Sequence, residues 1–193
     1  MPVTPSSSMS QPPELRHLVA VPTGAPRLAA VDLEGCDVDR RSQTLRVAAP
    51  GHWTLLIFLG SSCDGCLPFW RLAGRPERCG LEPQDAVAIV TRGPARERPR
   101  ALAALMGGAD GSPQGSPPGS APGSQPGGPP DLIMSDAAWT AYRVHGAPFF
   151  VLLDGVTVVT EGVAWSVEQL ASDLARARRR PGGEAQRSPS ARR

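Results

Sequence analysis

Residues 52–70 read HWTLLIFLGSSCDGCLPFW. The run Trp53–Leu59 is apolar except for Thr54, and Gly60 closes it. A strand with one wet face would alternate apolar and polar residues. A nearly unbroken run fits a strand buried on both faces, inside a parallel or mixed sheet. Cys63 and Cys66 follow after two serines, where a helix over residues 63–73 is expected to begin. The first N–H groups of a helix have no internal partner, and the dipole there is positive. A Cys63 thiolate is stabilised at that point, which lowers its pKa below the ~8.5 of a free thiol. Cys66 lies one turn further and can attack a mixed disulfide formed at Cys63. Cys63 is thus the expected exposed nucleophile and Cys66 the more buried resolving thiol. Asp64 opposes the pKa drop with its own charge, and Gly65 adds backbone freedom, so a moderately reducing poise is expected.

A close cysteine pair has other readings. It can be inert, a stable disulfide, or half of a zinc site completed by Cys36 and Cys79. Zinc ribbons use two CxxC pairs, and Cys36 and Cys79 are isolated, so no metal is expected. Four cysteines are too few for a disulfide scaffold of this length. In a reducing compartment such a pair reads as catalytic. Cys36 is placed in a hairpin turn and Cys79 after the first helix, and a bond between them stays open. A peroxidase would carry Pro and Thr upstream of its reactive Cys; here Gly60, Ser61 and Ser62 stand there.

About eighty residues on, residues 145–159 read HGAPFFVLLDGVTVV. Pro148 stands immediately before an apolar strand, where an X-Pro bond can be cis. A cis-Pro loop facing the dithiol would expose the backbone of Ala147 to an extended substrate strand. Asp154 and Gly155 form the expected turn of a hairpin over residues 148–162. His145, two residues before Ala147, either tunes Cys63 or is a plain loop histidine. Trp70, two turns past Cys63, is expected to pack below the site.

The remaining elements fall around these two stretches. Residues 27–47 read as two short strands about a glycine-containing turn. Residues 86–91, AVAIVT, read as a second buried strand, and residues 94–108 as a helix stopped by Gly107 and Gly108. DLIMS (131–135) suggests a short strand, and Ser135 or Asp136 caps a helix through Val144. Ser166 with Gln169 makes a capping box for a helix to about Arg179, with Val167, Leu170 and Leu174 on one face. Helices alternating with buried strands and ending in an antiparallel hairpin describe an α/β fold on a mixed sheet. The domain spans residues 27–180. Residues 1–26, rich in Pro and Ser, and the basic tail 181–193 are expected to be disordered. The Gly/Ser/Pro-rich segment 109–130 is expected to be a flexible insertion.

Composition limits the function classes. The chain has 193 residues, no Lys, no Asn and a formal net charge of +2. Its positive excess is concentrated at the C-terminus, so nucleic-acid binding is unsupported. No segment approaches the ~18 apolar residues of a membrane span, and Leu18–Val21 is too short for a signal peptide core. Membrane contact is therefore unsupported and a cytoplasmic location is expected; a start codon further upstream would make an anchored, extracytoplasmic protein the alternative.

HWTLLIFLGSSCDGC, YRVHGAPFFVLLDG and the closing helix together resemble the thioredoxin superfamily. DLEGCDV (32–38) is similar to the N-terminal hairpin of its TlpA-type and redoxin-type branch. The likeness covers about residues 27–179 apart from the insertion. It implies a thioredoxin-like fold with an N-terminal hairpin extension, and thiol–disulfide exchange on protein disulfides. It makes Cys63 the nucleophile, Cys66 the resolving thiol and Pro148 the cis-proline, with Ala147 and Pro148 as substrate contacts. No cofactor is implied; an upstream dithiol supplies electrons, and a protein disulfide reductase is the expected activity. The competing class is a binding module on the same fold with a slow or vestigial dithiol. Four features depart from the pattern: Ser62 replaces a frequent Trp, Ile57 a buried acid, Pro68 falls early in the helix, and Asp64-Gly65 is an uncommon pair.

Overall fold

The computed structural model describes residues 29–47, 53–73, 75–107 and 131–179. The segments 1–26, 109–130 and 181–193 lie outside the described residues. In chain order the elements are β1 (Leu33–Cys36), β2 (Ser42–Leu45), β3 (Trp53–Phe58), a 3₁₀ turn (Asp64–Cys66), α1 (Leu67–Ala73), a second 3₁₀ turn (Pro76–Cys79), β4 (Ala86–Thr91), α2 (Pro99–Gly107), β5 (Asp131–Met134), α3 (Asp136–Ala141), β6 (Phe149–Asp154), β7 (Thr157–Val163) and α4 (Val167–Arg178). The strands form one mixed sheet in the order β2-β1-β5-β4-β3-β6-β7. β3, β4 and β5 run parallel, and β6 pairs antiparallel with β3. This is a thioredoxin-like α/β architecture with an added N-terminal hairpin.

The apolar runs work as two-faced strands. On β3, Leu55 and Ile57 point to one core, and Leu56 and Phe58 to the other. On β4, Val87 and Ile89 alternate with Ala88 and Val90; on β6, Phe150 and Leu152 alternate with Val151 and Leu153. The first core is covered by Phe69, Trp70 and Leu72 of α1, Leu102 of α2, and Leu170, Leu174 and Ala177 of α4. The second is covered by Ala138 and Trp139 of α3. Arg178 of α4 reaches back to Asp85 before β4, donates to the Gly80 carbonyl at 3.1 Å, and lies over the Trp53 ring. The helix that closes the fold is thereby pinned to the start of the central strands.

Four boundaries differ from the sequence reading. The first hairpin turns at residues 37–41 rather than around Gly35 and Cys36. Asp37 Oδ1 accepts from the Asp39 and Arg41 amides at 2.8 and 2.9 Å, and Arg40 takes φ 64°. Cys36 is the last residue of β1, opposite Met134. Gly35 is there for close approach: a Cβ on it would collide with the Met134 carbonyl and crowd Ile133. Gly35→Ala should therefore destabilise the protein by about 2–3 kcal/mol, read as a lower denaturant midpoint at unchanged slope.

α2 opens at Pro99, not Pro94. A proline inside a helix clashes with the carbonyl four residues back, whereas at the first position it costs nothing. α3 stops at Ala141, because Arg143 takes φ 53° and the left-handed region ends a helix. Its cap is Ser135, whose Oγ accepts from Ala138 N at 3.0 Å and donates to the Glu34 carbonyl at 2.5 Å. Asp154 pairs with Thr157, so the β6–β7 turn is Gly155-Val156, with Gly155 at φ 57°. At α4, Ser166 Oγ accepts from Gln169 N at 3.1 Å, while Gln169 Oε1 accepts from Trp165 N at 2.7 Å.

Cys79 is buried beneath α4, and burial pushes its thiol from 9.0 up to about 11, outweighing the hydrogen bonds that lower it. Tyr142, whose hydroxyl bonds both backbone groups of Val31, is also raised, chiefly by burial. An acid raised by folding stabilises the native state below its unfolded pKa, and that contribution is lost as pH climbs to the folded value. Stability should thus fall between about pH 9 and 11, by roughly 1 kcal/mol per pH unit from Cys79. Cys79→Ala should flatten this part of the stability–pH curve.

Candidate active site

β3 delivers the chain to the C-terminal end of the sheet's parallel strands, and Gly60-Ser61-Ser62 turns it into the 3₁₀ turn. Cys63 precedes that turn with extended backbone (φ −96°, ψ 107°), and Cys66 N donates to the Cys63 carbonyl at 3.0 Å. The helix expected from residue 63 is therefore a 3₁₀ turn followed by α1, because the first turn tightens before the α ladder starts. Pro68 falls in the first turn of α1, where its missing N–H leaves no ladder bond broken; Leu67 N already serves the Asp64 carbonyl. Cys63 and Cys66 are joined by a disulfide, their Cα atoms 5.3 Å apart. Their environments are unequal: Cys63 is part-exposed, and Cys66 is fully buried in the core with Phe69 and Trp70. Asp64 and Gly65 between them are exposed.

The second stretch meets the first. The Ala147–Pro148 bond is cis. The Pro148 ring faces the dithiol turn, its Cδ 3.7 Å from where a Cβ on Gly65 would stand. Cys63 Sγ lies 3.7 Å from the Ala147 carbonyl oxygen. With the sulfur in a disulfide this is a contact; the reduced thiol could donate across it. Ala164 N donates to the Pro148 carbonyl at 3.1 Å, tying the end of β7 to the same loop. Around the site stand Leu67, Val163 and Trp165, which are 44%, 40% and 74% exposed. They adjoin the cysteine turn and the Pro148 loop as an apolar rim: Leu67 follows Cys66, Val163 pairs with Phe149, and Trp165 follows Ala164; Cys63 itself is part-exposed.

The other singled-out residues fall as follows. His145 is exposed on the α3–β6 connection. Trp70 is buried below Cys66. Ile57 is fully buried among apolar side chains, so no acid lies at that position behind the cysteines. Cys36 and Cys79 are not bridged to each other. Among the described residues no group of three His, Cys, Asp or Glu side chains is placed to hold a metal ion. No helix of the described residues is long and apolar enough to cross a membrane.

One residue escaped the sequence reading. Glu97, on the connection from β4 to α2, accepts from Ser61 N at 3.1 Å and from Ser61 Oγ at 2.5 Å, both through Oε2. A glutamate among arginines before a helix carries no sequence signal of such a contact.

No family model matches the sequence, and no curated protein matches it. Solved structures do resemble the fold. A thiol:disulfide interchange protein of the thioredoxin family from Chlorobium tepidum superposes with a TM-score of 0.55 at 13% identity, over 79% of this chain and 97% of that one. A thioredoxin-like protein from Aeropyrum pernix gives 0.52 at 15% identity, over 75% of this chain and 89% of that one. At such identities the likeness establishes the fold, which is thioredoxin-like.

Proposed function

We propose that the chain is a thiol–disulfide oxidoreductase that reduces protein disulfides through Cys63 and Cys66. The observation that carries this reading is the Cys63–Cys66 disulfide, half exposed and half buried, against the cis-Pro148 loop. In the reduced protein the Cys63 thiolate attacks a substrate disulfide. A bond forms between Cys63 and one substrate sulfur, the substrate S–S bond breaks, and the departing sulfur takes a proton. Cys66 then loses its proton and attacks Cys63 Sγ. The Cys63–Cys66 disulfide forms, the second substrate thiol leaves, and two electrons have passed to the substrate. An upstream dithiol restores the pair, so no bound cofactor is needed. A reducing, cytoplasmic setting suits this direction of flow.

The Ala147 backbone and Pro148 are the edge on which an extended substrate segment pairs, and Leu67 and Trp165 supply apolar contact. Trp165→Ala should lower kcat/KM for a protein disulfide about three- to tenfold, and leave a small neutral disulfide such as hydroxyethyl disulfide unaffected, because that substrate is too short to reach the rim. The test of the function itself is turnover: with dithiothreitol as donor, the protein should catalyse reduction of a disulfide-bonded protein over many cycles. Ile57, in place of an acid, favours one competitor, a binding module with a vestigial dithiol. That competitor predicts substrate binding without turnover.

A further inference from the structure

We propose that Glu97 is a positioning residue of this site: it fixes the loop ahead of Cys63 and holds a carboxylate near the nucleophile, which disfavours the thiolate and keeps the pair reducing. The role presupposes the exchange chemistry proposed above.

The geometry is local and specific. The Gly93 carbonyl accepts from the amides of Arg96 and Glu97 at 2.9 and 3.1 Å, so a tight turn presents Glu97 before α2 begins. Its Oε2 takes both donors of Ser61, two residues before Cys63. Its other oxygen turns toward Gly60. A Cβ built on Gly60 would stand 3.5 Å from Glu97 Oε1 and 3.6 Å from Cys63 Cβ. The carboxylate oxygen and the Cys63 side chain are thus within about 7 Å of each other, where a unit charge still moves a thiol's titration. Glu97 is half-buried, so water screens it less than it would an exposed acid.

The charged groups nearby on other elements are exposed to solvent. Asp64, on the cysteine turn itself, is negative and exposed; His145, on the α3–β6 connection, is exposed. Arg98 and Arg100 of the α2 entry and Arg40 of the β1–β2 turn line an open groove that Glu97 also borders, with their side chains in solvent. Among the described residues none of these three arginines makes an ion pair with Glu97. Where Ile57 excludes an acid from behind the cysteines, Glu97 brings one from the front.

Glu97→Gln separates the two parts of the role, because the amide oxygen can keep both Ser61 bonds while the charge goes. Reduced wild type, E97Q and E97D are alkylated with iodoacetamide across pH, and each pair is equilibrated with thiol buffers. E97Q should reach half-maximal alkylation of Cys63 about half a pH unit lower, and its potential should move in the oxidising direction. E97D, which keeps the charge, should stay near wild type. No shift in E97Q, or equal shifts in E97Q and E97D, would overturn the proposal. If E97Q does not fold, the salt response replaces it. In D64N, where Asp64 no longer contributes, the midpoint should fall as salt rises to 1 M, and a flat midpoint overturns the role. Alkylation needs only a reduced thiol, so these results judge Glu97 even if the protein shows no disulfide turnover.

Discussion

Cys63→Ser is expected to lower disulfide turnover by at least about a thousandfold, to the rate of the uncatalysed exchange. The reason is the unequal placement of the two sulfurs. Cys66 is fully buried, so a substrate disulfide cannot approach it in line, and it cannot stand in for Cys63. Serine preserves the volume but offers no thiolate near neutral pH. Cys66→Ser should fail differently. Cys63 still attacks, but nothing resolves the mixed disulfide, and a covalent adduct with the substrate accumulates, visible as a mass shift that dithiothreitol removes. Equal loss in both variants with no adduct in C66S would mean that the cysteines do not divide the two steps. Full turnover in C63S would place the chemistry elsewhere.

The largest loss of stability is expected at Phe58. This last residue of β3 is fully buried, and its ring meets Trp139 edge-on at 5.5 Å, Tyr142 at 5.9 Å and Phe149 at 6.4 Å. α3 has six residues, too few to be stable without packing. What holds it are this aromatic cluster, the Ser135 cap and the placement of Arg92 over the Trp139 ring. Phe58→Ala removes the centre of the cluster and should cost about 3–5 kcal/mol. Phe58→Leu should cost about half as much, because most of the cavity is refilled. Phe149 follows Pro148 directly, so F58A should also slow exchange by loosening the cis-Pro loop. Denaturant midpoints of the two variants check the first expectation. A loss below about 1 kcal/mol for F58A would mean that α3 is held by something other than this cluster.

The parts legible in the sequence were those whose signal is local. β3, β4 and β6 each need apolar residues on both faces, and that need writes an unbroken run. The cysteine turn and Pro148 are marked by residue types with few other uses at such positions, and the Ser135 and Ser166 caps lie next to the helices they start. Features that depend on a distant partner were not legible. Gly35 reads as a turn residue until the Met134 carbonyl of β5 is brought against it. The start of α2 reads five residues early, because Pro94 and Pro99 can each stand at a helix's first position. Glu97 is the clearest case: its partner Ser61 is 36 residues away in the chain, and the parallel pairing of β3 with β4 brings the loops that follow them to the same end of the sheet.

The central claim is that Cys63 and Cys66 form a redox pair that donates electrons. The measurement that tests it most directly is the reduction potential of the pair, from equilibration with thiol buffers and trapping of the free thiols. A value near that of thioredoxins, on the order of −270 mV, is the predicted result. A value above about −180 mV, or a pair that cannot be cycled at all, would contradict it.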